Sequence, residues 1–441
     1  MPAARFRTVA ALLLASLFMA APAPAAATVD IPEVSLASMQ NGTCVINLDH
    51  EIYCWGGNDY GQLGINIFGA PVGISGREAT NGTDWRALFD SSGNHMCAIK
   101  SSGTLWCWGL NFNGQLGLND FVDRSVPTQV GSDSDWIAGA AGQYSTCAIK
   151  SDRTLWCWGQ NDVGQAGNGT SGADNSTPVQ ADGSNWAGVS MGRTHVCALK
   201  TDNTLWCWGD NADGQLGISS LISQTHPTQV SGAWKQVDTS ADGPGSYTCA
   251  IKTDNTLWCW GQGGWAGINT LGTGATTASN APLEVGGTWS QIASGAWTAC
   301  GIKLADKSLW CWGDGWKGNL ATGIAADEND SDVPVAAAGG AAWATIARGR
   351  DHACAAHTNG SVWCWGQNTA QALGTPVLDA DTHSTPIDTG LFASGIVLPS
   401  TDRDTTQWSM PLMLLAALTA AAGIATRRSS LRGSGAGPAA E

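Results

Sequence analysis

Cysteine pairs recur along this chain at a regular interval, and they constrain its fold more than any other feature. Fourteen cysteines among 441 residues form seven pairs. The two cysteines are ten positions apart in six pairs and eleven apart in one, and successive pairs begin 50 to 54 residues apart. A repeat of this length is typical of propeller blades and too long for the common helical repeats. The pairs are Cys44 with Cys54, Cys97 with Cys107, Cys147 with Cys157, Cys197 with Cys207, Cys249 with Cys259, Cys300 with Cys311, and Cys354 with Cys364.

Each pair flanks a predicted β-hairpin, as in CAIKSSGTLWCWG at residues 97–109. With a three-residue Ser-Ser-Gly turn, Lys100 pairs with Thr104, and Cys97 faces Cys107. If Lys100 and Thr104 form a hydrogen-bonded pair, the cysteines fall on a rung where Cα atoms are about 4.5 Å apart, within reach of a disulfide. The third turn position favours Gly or Asn in a left-handed conformation. Its occupants are Gly103, Asn203, Asn255 and Gly360, with Arg153 and His50 as less favourable ones.

One cysteine pair has a different spacing from the others and therefore tests this register. Between Cys300 and Cys311 the turn reads KLADKS, one residue longer than KSSGT, and the cysteine spacing grows by that same residue. The cysteines therefore keep their place in the hairpin, as a cross-strand disulfide requires. A zinc site would instead show a C-x2–4-C cluster or a second converging pair. We therefore expect seven disulfides, no free thiol and no metal at these cysteines.

The N-terminal segment predicts export. Residues 1–25 contain Arg5 and Arg7, then an apolar run over 9–20, then small residues typical of a cleavage site. This order is that of a secretory signal peptide. Disulfides persist outside the cytosol, which agrees with this interpretation. The repeats then predict one domain over 26–395.

The C-terminal segment predicts attachment to a membrane. A linker at 396–409 precedes a hydrophobic anchor or sorting signal with arginines at 410–428, and a disordered tail follows at 429–441. The apolar residues 410–426 would just cross a thin bilayer, and the arginines after them favour a cytoplasmic end. LPSTD at 398 resembles a sortase motif, but Asp402 replaces the required Gly, so simple membrane retention or another sorting system is favoured. We expect the protein at the cell surface or outside the cell, with membrane contact only through this segment.

Composition argues against several classes of protein. The formal net charge is −15 at pH 7, and such a surface repels phosphate backbones, so we expect no nucleic-acid partner. Charged residues make up only 13% of the chain, which contains 57 glycines and 23 tryptophans. Few charges with many glycines and aromatics are typical of short strands joined by tight turns, not of helices.

Each unit repeats one order of motifs. A tryptophan opens a short run such as WAGVSMG, the cysteine hairpin follows, and then come WGLNFNGQLG or a relative, a variable loop and P-x-x-V. This order predicts four short strands per unit, and seven such sheets bury their faces only when they pack radially. We therefore predict an all-β fold, a seven-bladed β-propeller of four-stranded blades with a disulfide across one hairpin of each blade.

The motif W-x-x-V/I-x-x-G-x-x-H-x-C-A-I/L-x-x-x-G-x-L-x-C-W-G-x-N-x-x-G-Q-L-G resembles the repeat of the regulator of chromosome condensation (RCC1-type) family over nearly all of residues 32–390. The resemblance implies a seven-bladed β-propeller, and cysteine at both hairpin positions suggests a secreted bacterial version. GQLG at 61, 114 and 214 becomes GWAG at 264, GNLA at 318 and QALG at 371, so we expect less regular later blades.

Three motifs that could carry chemistry are better explained as structure. His95, His195 and His352 each stand two residues before a first cysteine, one per unit, so we expect no joint metal or base site. GVSMG at 188 matches a nucleophile motif but lies in a repeat strand. The acidic DEND at 327 lacks EF-hand spacing, which favours a solvated loop and leaves calcium near Asp327 open. We expect no catalytic residue, no cofactor and no metal site.

Four aromatic residues lie outside the common pattern, in the connection after the WG element, where the units differ. They are Tyr60, Phe112, Trp265 and Trp316. Aromatics on one propeller face would form a partner-binding surface, and packing under long loops is the alternative. The Trp-Cys-Trp triplets are interpreted as packing between blades rather than as a carbohydrate-binding stripe.

The resemblance also bears on function. Family relatives include a nucleotide-exchange factor for a nuclear GTPase, which the signal peptide and acidic charge argue against here, and bacterial secreted propellers that bind and inhibit an enzyme. It thus implies a binding scaffold, although fold alone does not decide function. We expect a non-enzymatic, surface-tethered monomer that binds an extracellular or cell-envelope protein. The alternative is an extracellular enzyme or glycan-binding protein that uses the propeller mouth, which carboxylates and histidines converging in one pocket would favour.

Overall fold

The computed structural model describes residues 35–47, 49–72, 82–240, 245–263, 269–275, 277–324, 329–374 and 382–391. The expected signal peptide and anchor lie outside these ranges. No helix within them is long and apolar enough to cross a membrane. The only helix in the described part of the chain is a short 3-10 turn, Trp316–Gly318, and the remaining regular structure is β-strand.

The strands are short and follow one another along the chain. They are β1 Ser35–Met39, β2 Gly42–Ile46, β3 Ile52–Asn58, β4 Gly69–Val72, β5 Trp85–Leu88, β6 His95–Lys100, β7 Leu105–Gly109, β8 Arg124–Gln129, β9 Trp136–Ala141, β10 Ser145–Lys150, β11 Leu155–Gly159, β12 Asn175–Gln180, β13 Trp186–Met191, β14 His195–Lys200, β15 Leu205–Gly209, β16 Gln224–Val230, β17 Trp234–Thr239, β18 Tyr247–Lys252, β19 Thr256–Gly261, β20 Ser279–Ser294, β21 Thr298–Lys303, β22 Leu309–Gly313, β23 Ser331–Ala336, β24 Trp343–Arg348, β25 His352–His357, β26 Val362–Gln367 and β27 Thr382–Asp388.

The strands form seven antiparallel four-stranded blades, which confirms the predicted fold. Blades 1 to 7 are β1–β4, β5–β8, β9–β12, β13–β16, β17–β20, β20–β23 and β24–β27. The long strand β20 serves two blades. Its first half pairs with β19, with Val285 opposite Leu257, and its second half pairs with β21, with Trp289 opposite Lys303. The first strand of each blade is innermost, and β1 packs against both β5 and β24, so the ring closes.

The predicted disulfides are confirmed, one across the central hairpin of each blade. All fourteen cysteines are paired within their own hairpins, with Cα–Cα distances of 4.0 to 4.1 Å, and none is free. In order of blades the bonds join Cys44 to Cys54, Cys97 to Cys107, Cys147 to Cys157, Cys197 to Cys207, Cys249 to Cys259, Cys300 to Cys311, and Cys354 to Cys364.

The hairpin register is as predicted. Ile99 lies opposite Leu105, Cys97 lies opposite Cys107, and the hairpin with the longer turn keeps the same register. The last turn residue has positive φ in all seven hairpins, including the two less favourable occupants. Those residues are His50, Gly103, Arg153, Asn203, Asn255, Lys307 and Gly360.

A hydrogen bond from tryptophan joins each blade to the one before it, and it explains the GQLG motif. The buried second tryptophan of the Trp-Cys-Trp triplet donates Nε1–H to a carbonyl in the motif of the preceding blade. Trp108 donates to Gln62 O at 2.9 Å, and Trp55 of blade 1 donates to Ala372 O of blade 7 at 2.9 Å. The last glycine of the motif packs against this ring. At Gly64, φ is +70°, and a Cβ would lie 2.8 Å from Trp108 Nε1.

In blade 5 the structure corrects the expected position of this motif. Trp312 of blade 6 donates to Thr270 O at 3.0 Å, Leu271 is fully buried, and Gly272 lies against the Trp312 ring. TLG at 270–272 therefore does what GQLG does elsewhere. The sequence predicts this motif at GWAG 264, but the connection in blade 5 is longer: Gly272 follows Gly261 by 11 positions, whereas Gly117 follows Gly109 by 8.

The first tryptophan of the triplet is half-buried and packs against a lysine. Lys100 Nζ lies 4.8 Å from the ring centroid of Trp85 and 5.1 Å from that of Trp106, within cation–π range. Blades 3 to 6 repeat this arrangement, and in blade 7 His357 stacks on Trp343. The chain's own cations therefore lie on these rings, which supports packing rather than sugar binding as their role.

Candidate functional site

The innermost strands of blades 2 to 7 enclose a cavity of about 240 Å³ on the propeller axis. Side chains that leave these strands point either into a blade interface or into this space. Most wall positions hold small or apolar residues. Three ionisable residues on the wall are Asp90 from blade 2, Asp238 from blade 5 and Arg348 from blade 7.

Asp238 lies on β17, half-buried in the cavity wall. Its Oδ1 accepts a hydrogen bond from Ser190 Oγ at 3.3 Å, and its Oδ2 accepts one from the backbone N–H of Ser294. Burial raises the pKa of this carboxyl to about 7, and the neighbouring charge of Asp90 contributes to that shift. Protonation of Asp238 therefore changes near neutral pH.

Asp90 follows β5 and is exposed to the cavity, although protein surrounds the cavity laterally. This enclosure raises the pKa of its carboxyl to about 6, against the opposing effect of a hydrogen bond from the backbone N–H of Ser38. Two carboxyls that share a low-dielectric space titrate as a pair, since ionising one disfavours ionising the other. Asp90 and Asp238 thus form a coupled pair.

Arg348 is 6% exposed, and its guanidinium lies between blades 6 and 7. It donates to Thr298 Oγ1, to Cys300 Sγ at 2.8 Å and to Asn319 O at 3.5 Å. Burial lowers its pKa to about 10, so it stays charged at neutral pH. Its hydrogen bonds anchor the guanidinium in the blade interface.

The three repeat-position histidines do not join this site. His95 Nε2 lies 2.9 Å from Thr146 Oγ1, and His195 Nε2 lies 2.9 Å from Thr248 Oγ1, in each case in the next blade. Thr146 Oγ1 donates its own proton to Gln115 O, so the histidine must donate to it. Burial lowers the histidine pKa values to between about 3 and 4, so these rings are neutral. The structure places the three histidines in three separate blade interfaces.

Three of the four expected contact aromatics are exposed on the propeller. Tyr60 is 38% exposed, Phe112 is 57% exposed and Trp316 is 52% exposed. Trp265 lies outside the described residues. Each of the three follows the third strand of its blade. In blade 2, Gly109 at the end of β7 pairs with His95 at the start of β6. Phe112, which follows β7, therefore lies at the same end of the blade as the turn after Asp90.

The carboxyl pair was not predicted from the sequence, although a signal for one member was present. Asp238 lies opposite the first cysteine of its hairpin, where other blades carry Ala140, Ser190, Ala293 or Ala347. An aspartate at a position that holds alanine or serine in those blades marks a departure from the repeat. Exposed apolar side chains in the variable loops were not predicted either. These are Ile67, Phe68, Phe121, Val122, Leu221, Ile222 and Ile324.

Two other motifs can be placed. Ser190 of GVSMG lies on β13 and not at a strand–turn–helix junction, which agrees with the interpretation of that motif as chance. Asp327 and Glu328 of DEND lie outside the described residues. Among the residues that the structure describes, no group of three or more His, Cys, Asp or Glu could hold a metal ion.

Comparison with known proteins identifies the repeat. A family model described as regulator of chromosome condensation (RCC1) repeat matches residues 102–149, 153–199 and 202–242, and a second RCC1 repeat model matches 136–165, 186–215 and 343–370. A rat (Rattus norvegicus) protein named probable E3 ubiquitin-protein ligase HERC4 is 34% identical over 110 residues, 23% of this chain and 10% of that protein. The Arabidopsis thaliana ultraviolet-B receptor UVR8 is 31% identical over 106 residues, 23% of this chain and 22% of that protein.

Solved structures show the same fold at low sequence identity. A chain from the crystal structure of Kap60 bound to yeast RCC1 (Prp20) superimposes with a TM-score of 0.66 at 17% identity, over 83% of this chain and 86% of that one. Human WBSCR16 gives a TM-score of 0.64 at 17% identity, over 77% of this chain and 93% of that one. With its repeats, its seven blades and its motif hydrogen bonds, the chain belongs to the RCC1-type repeat family.

Proposed function

We propose that this protein is an exported, non-enzymatic propeller that binds an extracellular or cell-envelope protein. The observation that carries the proposal is the exposure of Tyr60, Phe112 and Trp316 on loops that follow the third strand of their blades. Aromatic side chains bring large contact area with few rotamers to freeze, and they are enriched at the centres of protein interfaces. Variable loops on a rigid scaffold are the usual place for recognition.

Two of these aromatics are held in place by their surroundings without being covered. Phe112 contacts the ring of Tyr144 edge-on at a centroid distance of 5.5 Å, and Lys317 Nζ lies 3.9 Å from the ring of Trp316. Such support lowers the entropy lost when a side chain becomes fixed in an interface. The arrangement therefore suits contact residues better than core residues.

Export is supported by the disulfides and by the N-terminal segment. Seven disulfides persist only where the surroundings are oxidising. Residues 1–25 would direct export and 410–428 would retain the propeller at the membrane. The structure with Kap60 bound to yeast RCC1 supports protein binding as one use of this fold. The curated relatives share about a tenth to a fifth of their length with this chain, so their named activities are not transferred.

Alanine substitution tests the proposal directly. The 26–409 fragment should capture its partner from the native cell surface, and Tyr60→Ala, Phe112→Ala or Trp316→Ala should weaken binding by about 1 kcal/mol or more at one or two positions. Val333→Ala is the control, because Val333 is 49% exposed but lies on the fourth strand of blade 6, β23, and not on a loop after a third strand. If the control and the three variants bind alike while all remain folded, the contact surface lies elsewhere.

A second candidate is an extracellular enzyme or glycan-binding protein that uses the central opening. The convergence of Asp90 and Asp238 in one cavity favours it, since paired carboxyls with raised pKa values serve in general acid and base chemistry. The neutral, interface-bound histidines do not support it. An enzyme of this kind would lose glycan turnover with either Asp90→Asn or Asp238→Asn, whereas the proposed scaffold would keep its partner binding in both variants.

A further inference from the structure

The central cavity is chemically asymmetric. Its wall carries the carboxyls of Asp90 and Asp238, which come from blades 2 and 5, and the charge of Asp90 contributes to the raised pKa of Asp238. Hydroxyl groups also line the cavity. Ser190 Oγ bonds Asp238, and Ser92, 6% exposed on the wall, has an Oγ without a hydrogen-bond partner. A buried hydroxyl without a partner is a place where a ligand atom can complete the bonding.

The remainder of the wall mixes polar side chains, such as that of Gln236, with apolar ones. Val189, Met191, Ile292 and Ile346 all line the cavity and are at least nine-tenths buried. The volume of about 240 Å³ is below the range of about 300–1,000 Å³ that is usual for drug-sized ligands. The space therefore suits a chain of a few carbons, or one side chain, with a charged end.

We propose that this cavity binds a primary ammonium group carried on a short apolar stem, with Asp90 and Asp238 receiving the ammonium and the apolar residues of the wall receiving the stem. An ammonium offers three N–H donors, which two carboxylates and a hydroxyl can accept. A calcium ion would need six to eight oxygen ligands, and the described residues supply no cluster of three metal-binding side chains. The guanidinium of Arg348 does not reverse the sign of the site, because two ionised carboxylates outweigh its single positive charge.

The ammonium could come from a free small amine or from a lysine side chain of another protein. Both present the same chemistry to the two aspartates. The proposal does not depend on the exposed loop aromatics, so it can fail or succeed independently of the partner-binding proposal. Its test uses the folded 26–409 protein with all disulfides formed.

The first measurement needs no variant. Isothermal titration at pH 8 compares n-butylamine with n-butanol, which has the same stem and no charge, and with butyrate, which has the opposite charge. We expect saturable binding of n-butylamine at least about tenfold tighter than that of n-butanol, as charge-assisted hydrogen bonds would give, and no binding of butyrate. Equal binding of the amine and the alcohol, or tighter binding of Ca²⁺ than of the amine, overturns the proposal.

Isosteric variants locate the site. Asp238→Asn and Asp90→Asn should each weaken n-butylamine binding about tenfold, since each removes one charged acceptor. Asp59→Asn removes the same charge from an exposed loop residue outside the cavity and should leave binding unchanged. An amine that binds both cavity variants like the parent protein would disprove the assignment. Nα-acetyl-lysine amide, which keeps its side-chain ammonium, distinguishes a lysine side chain from a free amine as the ligand. Binding as tight as that of n-butylamine indicates a lysine side chain, and binding of n-butylamine alone indicates a free amine.

Discussion

His352 Nε2 of blade 7 lies 3.0 Å from Thr43 Oγ1 of blade 1, across 309 positions of sequence. The same pair joins blade 2 to blade 3 and blade 4 to blade 5. Every blade with histidine at this repeat position is followed by a blade with threonine before its first cysteine. Where the position holds Gly42, Ser145, Tyr247 or Thr298, the next blade carries Met96, Val196, Ala299 or Ala353. Histidine at this position therefore always meets threonine of the next blade, whereas at the other interfaces the residue before the first cysteine is apolar.

The pair that closes the ring should be energetically coupled. His352→Ala leaves the buried Thr43 hydroxyl without this partner and should destabilise the fold by about 1–3 kcal/mol. Thr43→Val removes the other partner, and the double variant should cost less than the sum, with a coupling of about 1 kcal/mol measured by urea unfolding. His226→Ala is the control, because that imidazole is exposed. Additive effects of the two substitutions would contradict the finding that the hydrogen bond closes the ring.

The buried histidines and the cavity aspartates should shift stability with pH in opposite directions. His195 and His352 have pKa values lowered to about 4, so their contribution is complete above pH about 6.5 and is lost as pH falls towards 4. Asp238 has a pKa raised to about 7, so its contribution is complete below pH about 4 and is lost as pH rises through 7. Asp238→Asn should therefore raise the melting temperature at pH 8 and change it little at pH 4. A larger gain at pH 4 would refute the assigned shift.

Because the last glycine of the motif lies close to a tryptophan ring, replacing it should cost more stability than replacing a glycine in open space. Gly117 has φ of +73°, and a Cβ there would lie 2.8 Å from Trp158 Nε1, whereas Gly131 has φ of +59° and nothing within 4 Å. Gly131→Ala should cost about 1 kcal/mol from backbone strain alone. Gly117→Ala should cost clearly more, because the tryptophan that bonds blade 2 to blade 3 must also move. Chemical denaturation of both variants measures the difference, and equal costs would show that the ring yields freely.

Reduction should destabilise the propeller one hairpin at a time. Non-reducing mass spectrometry should find each cysteine bonded within its own hairpin, such as Cys97 with Cys107. In the chain-entropy treatment each loop of this size contributes about 2.5–3 kcal/mol, and the contributions are not additive. The melting temperature should therefore fall markedly in a reductant. Inter-blade linkages, or an unchanged melting temperature, would contradict the structural role of the disulfides.

The C-terminal segment should decide where the protein resides. Deleting residues 410–428 should release a folded propeller into the medium, because the apolar stretch is then missing from the membrane. Fractionation of cells and medium with and without the deletion measures this release. A truncated protein that stays with the cells to the same degree would show that another contact retains it.

The number of repeats, the hairpin register and the disulfides could all be predicted from the amino-acid sequence alone. A strand has a side-chain period of two, and a turn of known length sets which residues face one another, so Cys97 and Cys107 could be paired by counting. The left-handed turn positions followed in the same way, since local backbone sterics decide them. Even the longer turn between Cys300 and Cys311 was informative, because its extra residue moved the second cysteine and not the register.

The contacts between residues of different blades could not be predicted from the sequence and are seen only in the folded ring. Asp90 and Asp238 are 148 positions apart, and neither sits in a motif that names its partner, so their cavity exists only once the ring has closed. The true tryptophan acceptor in blade 5, Thr270, was likewise hidden, because a loop of different length moved it away from its expected place. Interactions within a hairpin depend on local geometry that counting recovers. Interactions across blades depend on the angle and depth at which whole sheets pack, which the order of residues along one chain does not express.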